Sequence, residues 1–210
     1  MKQKYFIDFH KGITSLYILF LINWYSAYDN LTIWVYLGLH GTYGILWILK
    51  SMIFTDKSWE TKTGLLYGLF ILAGLSLYWV SPWIIVSGYF NHGDMVIVPL
   101  WLISLCLFSF GIGVFFHFSA DMQKYTALKL NPENLVVDGL FSRVRNMNYF
   151  GELLIYISFA LLSMHWTPIT ILFIFIMIVW VPNMIKKDKS LSKYKEFDDY
   201  RNKTRMFFPF

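Results

Sequence analysis

The chain has a single cysteine, Cys106, so it can form neither an internal disulfide nor a cysteine-based metal cage. It is also poor in charge. Asp, Glu, Lys and Arg make up 15% of its 210 residues, against roughly 25% in soluble domains. That shortfall excludes a disordered or fibrous chain and an ordinary soluble enzyme. No low-complexity linker and no internal repeat is visible, so residues 1–210 are expected to form one membrane-embedded domain. No predicted strand leads into a glycine-rich turn, which excludes a soluble dinucleotide-binding fold. Metal-ligand spacing is missing too, and no metal site is expected.

Apolar residues dominate instead. They make up 57% of the chain, and aromatics alone make up 20%. That is more greasy surface than one soluble core of this length can bury. A membrane span needs about 20 apolar residues to cross roughly 30 Å. Six runs qualify, at 12–28, 31–49, 64–86, 95–118, 150–166 and 168–185. The last two adjoin. Thr167-Pro168 is the predicted break between them, because proline cannot continue a helix interior. The first run could pass for a signal peptide, but bulky Asn23-Trp24-Tyr25 near its end and the lack of a small-residue cleavage site favour a retained span.

The basic residues test this layout. Lys2, Lys4 and Lys11 precede the first run, and Lys50, Lys57 and Lys62 fall between the second and third. Lys124, Lys129, Arg143 and Arg145 fall between the fourth and fifth, and the remaining eight follow the sixth. The loops at 29–30, 87–94 and 166–167 carry none. The positive-inside rule produces this one-sidedness for an even number of spans. The expected fold is therefore an all-α integral membrane protein. It has about six transmembrane helices, both termini cytoplasmic, and a short helical tail over 186–210. The net charge of +5 is a topology signal first and a sign of anionic lipid or a phosphorylated ligand second. Nucleic acid is not an expected partner.

Ionisable groups at or inside the hydrocarbon are costly and usually functional. His40 falls mid-span. His117 and Asp121, four residues apart, share a helix face at the end of the fourth span. Glu152 opens the fifth span, with Asn148 just before it. Each has a plain alternative: a solvated helix end for His117 and Asp121, a helix-dipole carboxylate for Glu152, loop charges for Arg143 and Arg145. Gly38, Gly41 and Gly44 line one side of the second span, as close helix packing requires. Together the groups say more than they do singly. Asp121, Lys124, Arg143, Arg145 and Asn148 converge on the basic side, with Tyr200 and Arg205 on the tail. Several cations with polar partners suit a polyanionic ligand such as a phosphorylated cofactor. The apolar bundle above them suits a lipid-like substrate drawn from the membrane lipids.

The stretch from Asp138 to Glu152, DGLFSRVRNMNYFGE, resembles the signature of the steroid 5-alpha-reductase family, whose sterol-reducing members share an Arg-His-x-Asn-Tyr-x-Gly-Asp/Glu core. His117-x-x-x-Asp121 resembles that family's Asn-x-x-x-Asp motif. Lys195 to Tyr200 and Arg205 to Phe210 resemble its closing segment, and Leu39-His40 a pair that faces substrate. The match covers 117–210 well and the first half loosely. It implies a membrane reductase that uses NADPH to saturate a carbon–carbon double bond, often conjugated to a carbonyl, in a steroid-like lipid. By the resemblance Asp121, Asn148, Arg145 and Tyr200 hold the cofactor and His117 replaces an Asn. Lys124, Arg143, Tyr149 and Arg205 complete the candidate cofactor set on the cytoplasmic side. Glu152, His40 and Tyr43 are the candidate catalytic groups, with His40 and Tyr43 as hydrogen-bond donors to the substrate. Three departures stand out. Asn146 occupies a common His position, Gly41 follows His40 where steroid-reducing members place a Tyr, and Asn23 is the first run's only strongly polar interior group. The nearest rival is a membrane methyltransferase similar to isoprenylcysteine carboxyl methyltransferase, using S-adenosylmethionine. A transporter fits less well, because the polar set lies on one side.

Overall fold

The structure, a computed structural model, describes residues 1–209; Phe210, the last residue of the closing motif, lies outside them. The regular elements among the described residues are all helical, with two isolated β-bridges and no strand. Helix α1 runs Gln3–Trp24 and α2 Leu31–Ile53. Helices α3 (Leu65–Ser76) and α4 (Val80–Ser87) join through one tighter turn at Leu77–Trp79. Helix α5 runs Leu100–Leu130 and α6 Met147–Leu162. Helices α7 (Trp166–Phe175) and α8 (Val181–Leu191) join through a π-helical stretch, Ile176–Trp180. Helix α9, Phe197–Lys203, closes the chain.

Five of these helices are long and apolar enough to cross a membrane: Gln3–Trp24, Leu31–Ile53, Leu65–Ser87, Leu100–Leu130 and Trp166–Leu191. The sixth apolar helix, α6, is shorter. Its 16 residues reach about 24 Å, less than the roughly 30 Å of hydrocarbon. Large apolar side chains such as Leu66, Phe70, Trp101 and Phe173 point outward, where a soluble protein would place charge. The fold is that of a multi-pass helical membrane protein.

Contacts sort the loops into two ends. At one end Met1 and Gln3 pair with the backbone of Thr63 and Thr61, and Lys124 reaches Asp56 at 2.8 Å. There too Arg205 accepts a backbone hydrogen bond from Arg145 and donates one to Arg143. At the other end Asn30 donates to the Val96 carbonyl at 3.0 Å, and the rings of Phe90 and His165 stack 4.3 Å apart. All exposed lysines and arginines belong to the first end. The six-run layout with paired termini is thus reproduced.

Several boundaries differ from the sequence expectation. Helix α1 begins nine residues before position 12, so His10, Lys11 and Thr14 are interior groups, whereas Asn23 is exposed and accepts from Tyr28. The break before α7 falls at 163–165, with Met164 in the left-handed region, and not at Thr167-Pro168. Pro168 sits in the first turn of α7, where the missing N–H would have no intrahelical partner anyway. Helix α5 starts after Pro99 and extends well past Phe118 to Leu130. Its last turns carry Asp121 and Lys124 beyond the apolar run. Of the three glycines in α2, Gly44 and Gly41 do meet α1, at Lys11 and Ser15, whereas Gly38 faces open space.

Candidate functional site

The site forms where α1, α2, α5 and α6 cross near the basic end. One stripe of α2 supplies Tyr36, His40, Tyr43, Trp47 and Lys50, all buried. Their alternating four and three spacing keeps them on one helix face. Helix α1 repeats the device with Ile7, Lys11, Thr14, Ile18 and Leu21. Helices α5 and α6 touch backbone to backbone. A Cβ on Gly113 would come 2.7 Å from the Gly151 carbonyl, and one on Gly151 would collide with His117. This close approach sets His117 and Asp121 against the start of α6.

Two linked polar groups result. In the first, Lys50 forms a buried ion pair with Asp121, and its Nζ lies 3.4 Å from His117 Nε2 and 4.6 Å from the Trp47 ring. His117 Nδ1 sits 3.1 Å from the Asn148 carbonyl. A carbonyl only accepts, so Nδ1 carries the hydrogen and Nε2 is the acceptor that faces Lys50. Asp121 Oδ1 and Asn148 Oδ1 are buried without a hydrogen-bond partner. In the second group, Tyr43 donates to Glu152 Oε1 at 3.2 Å, and Lys11 donates to the Tyr156 oxygen at 2.7 Å. Lys11 also lies 4.4 Å from the Tyr43 ring centre. An open cleft lined by Lys4, Asp8, Trp47, Lys50, Asp56 and Trp59 leads from the basic surface to Lys50.

The predicted site residues therefore divide. His117, Asp121, Asn148, Tyr43 and Glu152 are brought together. Lys124 stands at the rim, paired with Asp56. This pairing holds the Asp56 carboxyl well below the usual carboxylate range, although burial alone would raise it. His40 lies one layer deeper. Its Nδ1 is 3.1 Å from the Tyr36 hydroxyl and its ring stacks on Phe159, so it does not touch Tyr43's bonded partners. Tyr149 packs against Trp180.

Arg143, Arg145, Tyr200 and Arg205 form a separate knot with the tail. Arg145 is buried and its donors meet Asp188, Thr204 and Arg201. Tyr200 donates to the Phe141 carbonyl at 2.8 Å, and burial pushes its phenol up to about 12. Arg143 and Arg205 join through backbone and keep exposed side chains.

Sequence reasoning missed Lys11 and Lys50 because both read as loop charges, and it offered no signal for Tyr156. The four-and-three stripes of α1 and α2 were the available signal.

These features define a multi-pass helical membrane protein with a polar, cation-bearing interior site. The chain belongs to the family described as "Protein of unknown function (DUF1295)", which matches residues 50–205. That match takes in Lys50, His117, Asp121, Asn148 and Glu152, along with the tail knot, but not Lys11, His40 or Tyr43. No curated protein matches the chain.

Proposed function

We propose that the chain is a membrane reductase that uses NADPH to saturate a carbon–carbon double bond conjugated to a carbonyl in a lipid-like substrate. The resemblance of 117–210 to the steroid 5-alpha-reductase family motivates the proposal. One observation carries it: two buried acceptors, Asp121 Oδ1 and Asn148 Oδ1, have no donor; Asp121 is paired with Lys50, which lines a cleft at the basic surface, and Asn148 meets His117 through its carbonyl. Such acceptors are costly unless a guest supplies N–H or O–H groups. The hydroxyls and carboxamide of a dinucleotide are donors of that kind.

The residues thus fit the cofactor, with one change of role. Asp121 and Asn148 would accept from it, and the exposed Arg143 and Arg205 would offer charge to its phosphates. Arg145 holds the tail in place and does not bind the cofactor directly, because its fork is already filled. When bound, NADPH supplies the hydride. The chain's own groups bind, orient and manage the proton. Lys50 pairs with Asp121 and anchors it. His117, fixed as the Nδ1–H tautomer by Asn148, holds the start of α6 against α5. Glu152 accepts from Tyr43 and so fixes that phenol at the junction between the cofactor cleft and the apolar interior. His40, bonded to Tyr36, borders the substrate space. Preorganised donors in such a dry setting stabilise charge on a carbonyl oxygen far better than water does. The basic end faces the cytoplasm in this reading.

The test compares NADPH with S-adenosylmethionine as stabilisers of the detergent-purified chain in thermal unfolding. It is followed by NADPH consumption with a panel of enone lipids. NADPH should raise the midpoint, and Asp121→Asn should weaken its binding by about tenfold, the worth of one charge-assisted hydrogen bond. Stabilisation by S-adenosylmethionine alone would replace the reductase with the methyltransferase reading. Stabilisation by neither ligand, with no NADPH consumption, would end both.

A further inference from the structure

Lys11 is buried, yet nothing in the cofactor site uses it. It is drawn inside because α1 and α2 meet at backbone distance: a Cβ on Gly44 would fall 2.5 Å from the Lys11 carbonyl. Its Nζ donates to the Tyr156 oxygen at 2.7 Å and lies 4.4, 5.1 and 5.2 Å from the ring centres of Tyr43, Trp47 and Tyr156. Among the described residues it forms no ion pair. Aromatic faces offset part of the cost of a buried ammonium but leave its charge unneutralised. The carboxylate whose charge it feels is Glu152, beyond ion-pair distance, and Lys50, of like charge, opposes it.

Two phenols bridge the gap. Tyr43 donates to Glu152 Oε1 at 3.2 Å. The Tyr43 and Tyr156 hydroxyls bond to each other, and their rings meet edge to face with centres 5.8 Å apart. Donor rules set the direction, because an ammonium only donates and a carboxylate only accepts. The Tyr156 oxygen accepts from Lys11, so its hydrogen points to the Tyr43 oxygen, and the Tyr43 hydrogen points to Glu152. The result is a directed chain, Lys11 to Tyr156 to Tyr43 to Glu152, drawn from α1, α2 and α6. Shifting each hydrogen one bond along it turns ammonium and carboxylate into amine and carboxylic acid, with no atom gained or lost. The ammonium end lies next to the basic surface: Trp47, whose ring faces Lys11, is also a wall of the cleft there, with Lys50 and Asp8.

We infer that Lys11 is the proton reservoir of this site and that Tyr156 carries its proton to the Tyr43–Glu152 pair. The inference rests on the reductase reading for the reaction that draws the proton. Saturating a double bond takes one hydride and one proton. The hydride is the cofactor's, and the proton has to pass through the chain. Tyr43 breaks its O–H bond to supply it and keeps the electron pair. Tyr156 returns a proton to that oxygen, and the Lys11 ammonium returns one to Tyr156 and becomes an amine. Water in the cleft then restores the ammonium. Lys11 thus acts through Tyr156 and touches no substrate. Hydrogen bonds set in advance spare the dry interior a bare phenolate.

Lys11→Arg separates a reservoir from a fixed charge, because a guanidinium keeps the charge and does not give up a proton. With NADPH and the panel of enone lipids, Lys11→Arg and Tyr156→Phe should each lose about a hundredfold in kcat with KM unchanged, a loss typical of general acid catalysis. Plotted against the deuterium fraction of the solvent, the parent rate should bow, as it does when several protons move together, and Tyr156→Phe should give a straight line. Should Lys11→Arg fail to fold, Tyr156→Phe carries the same test, since it keeps Lys11 and removes one hydroxyl. A second measurement needs no turnover. Glu152→Gln should lower the thermal unfolding midpoint of the detergent-purified chain, because Lys11 loses its opposite charge, and adding Lys11→Met should recover most of the loss. Losses that simply add overturn the inference whether or not the chain is a reductase. Recovery in the double variant with no NADPH consumption overturns the reductase reading alone. NADPH consumption that Lys11→Arg sustains at the parental rate overturns the reservoir alone.

Discussion

Two buried cations at the same end of the bundle are treated in opposite ways. The Arg145 guanidinium is saturated. Its Nε and Nη2 meet Asp188 at 3.1 and 2.9 Å, and Nη1 meets the Thr204 carbonyl at 2.7 Å. Lys50 is paired with Asp121, yet that carboxylate keeps one oxygen with no partner, and so does the buried side chain of Asn148. Burial is common to both, so burial alone does not mark a functional charge. Complete satisfaction marks a strut, because a planar fork with its donors filled fixes what it touches. Incomplete satisfaction marks a receptor, because a buried acceptor without a donor costs free energy until something binds. Arg145 ties α6, α8 and the tail together, whereas Lys50 and Asp121 present an unfinished set to the cleft.

The largest effect that can break this contrast is expected at the strut. Arg145→Ala leaves Asp188 without its cation and releases the Thr204 carbonyl, and removing one partner of a buried pair costs about 3–5 kcal/mol. Thermal unfolding in detergent should show the loss. Trypsin should also cut at Lys193 and Lys195 much faster than in the parent, since the tail is no longer tied down. If Arg145→Ala leaves stability and cleavage unchanged but abolishes NADPH binding, Arg145 is a ligand residue and the contrast fails.

The receptor depends on α5 and α6 meeting at backbone distance, so the next effect is expected at Gly151. A methyl group there collides with His117. Gly151→Ala should cost about 1–3 kcal/mol, the usual range for overpacking. It should also push the His117–Asp121 edge away from Asn148, lowering NADPH affinity while the tail remains as resistant to trypsin as in the parent. Loss of tail protection in this variant would show that the two regions are one cooperative unit.

How much of this was legible in the sequence follows from the range of the interactions involved. Run length and one-sided charge were enough for the helices, because each span satisfies its own backbone. Helix ends were less legible. Pro168 signals a boundary but not which side of it the turn takes, since proline is equally at home in a first helical turn. The clustering of His117, Asp121, Asn148 and Glu152 was readable from motif order. The tail knot was not, because Arg145, Asp188 and Thr204 are brought together only by folding. Lys11 and Lys50 were hidden by a rule that is correct on average. Counting lysines as loop charges predicts topology, and it overlooks the two that continue an interior stripe.

A third ion pair at the same end sharpens the scale. Lys124 and Asp56 lie at the rim, with side chains 33% and 24% exposed, so solvent screens what the interior pairs keep. Burial opposes ionisation of Asp56, but Lys124 and the Ser58 backbone N–H and hydroxyl outweigh it and hold its pKa below the usual value. A carboxyl depressed in the folded state stabilises that state at every pH above its unfolded pKa of about 4. The contribution drains away as pH falls from there toward the folded value. Asp56→Asn should therefore lower stability by at most about 1 kcal/mol at neutral pH. The gap between parent and variant should hold steady from pH 7 to about 5 and close below about 4. The measurement is the unfolding midpoint of both proteins across that series at low salt. A gap as large as that of Arg145→Ala would mean that this rim pair is a strut too, and that exposure is a poor guide at this end of the molecule.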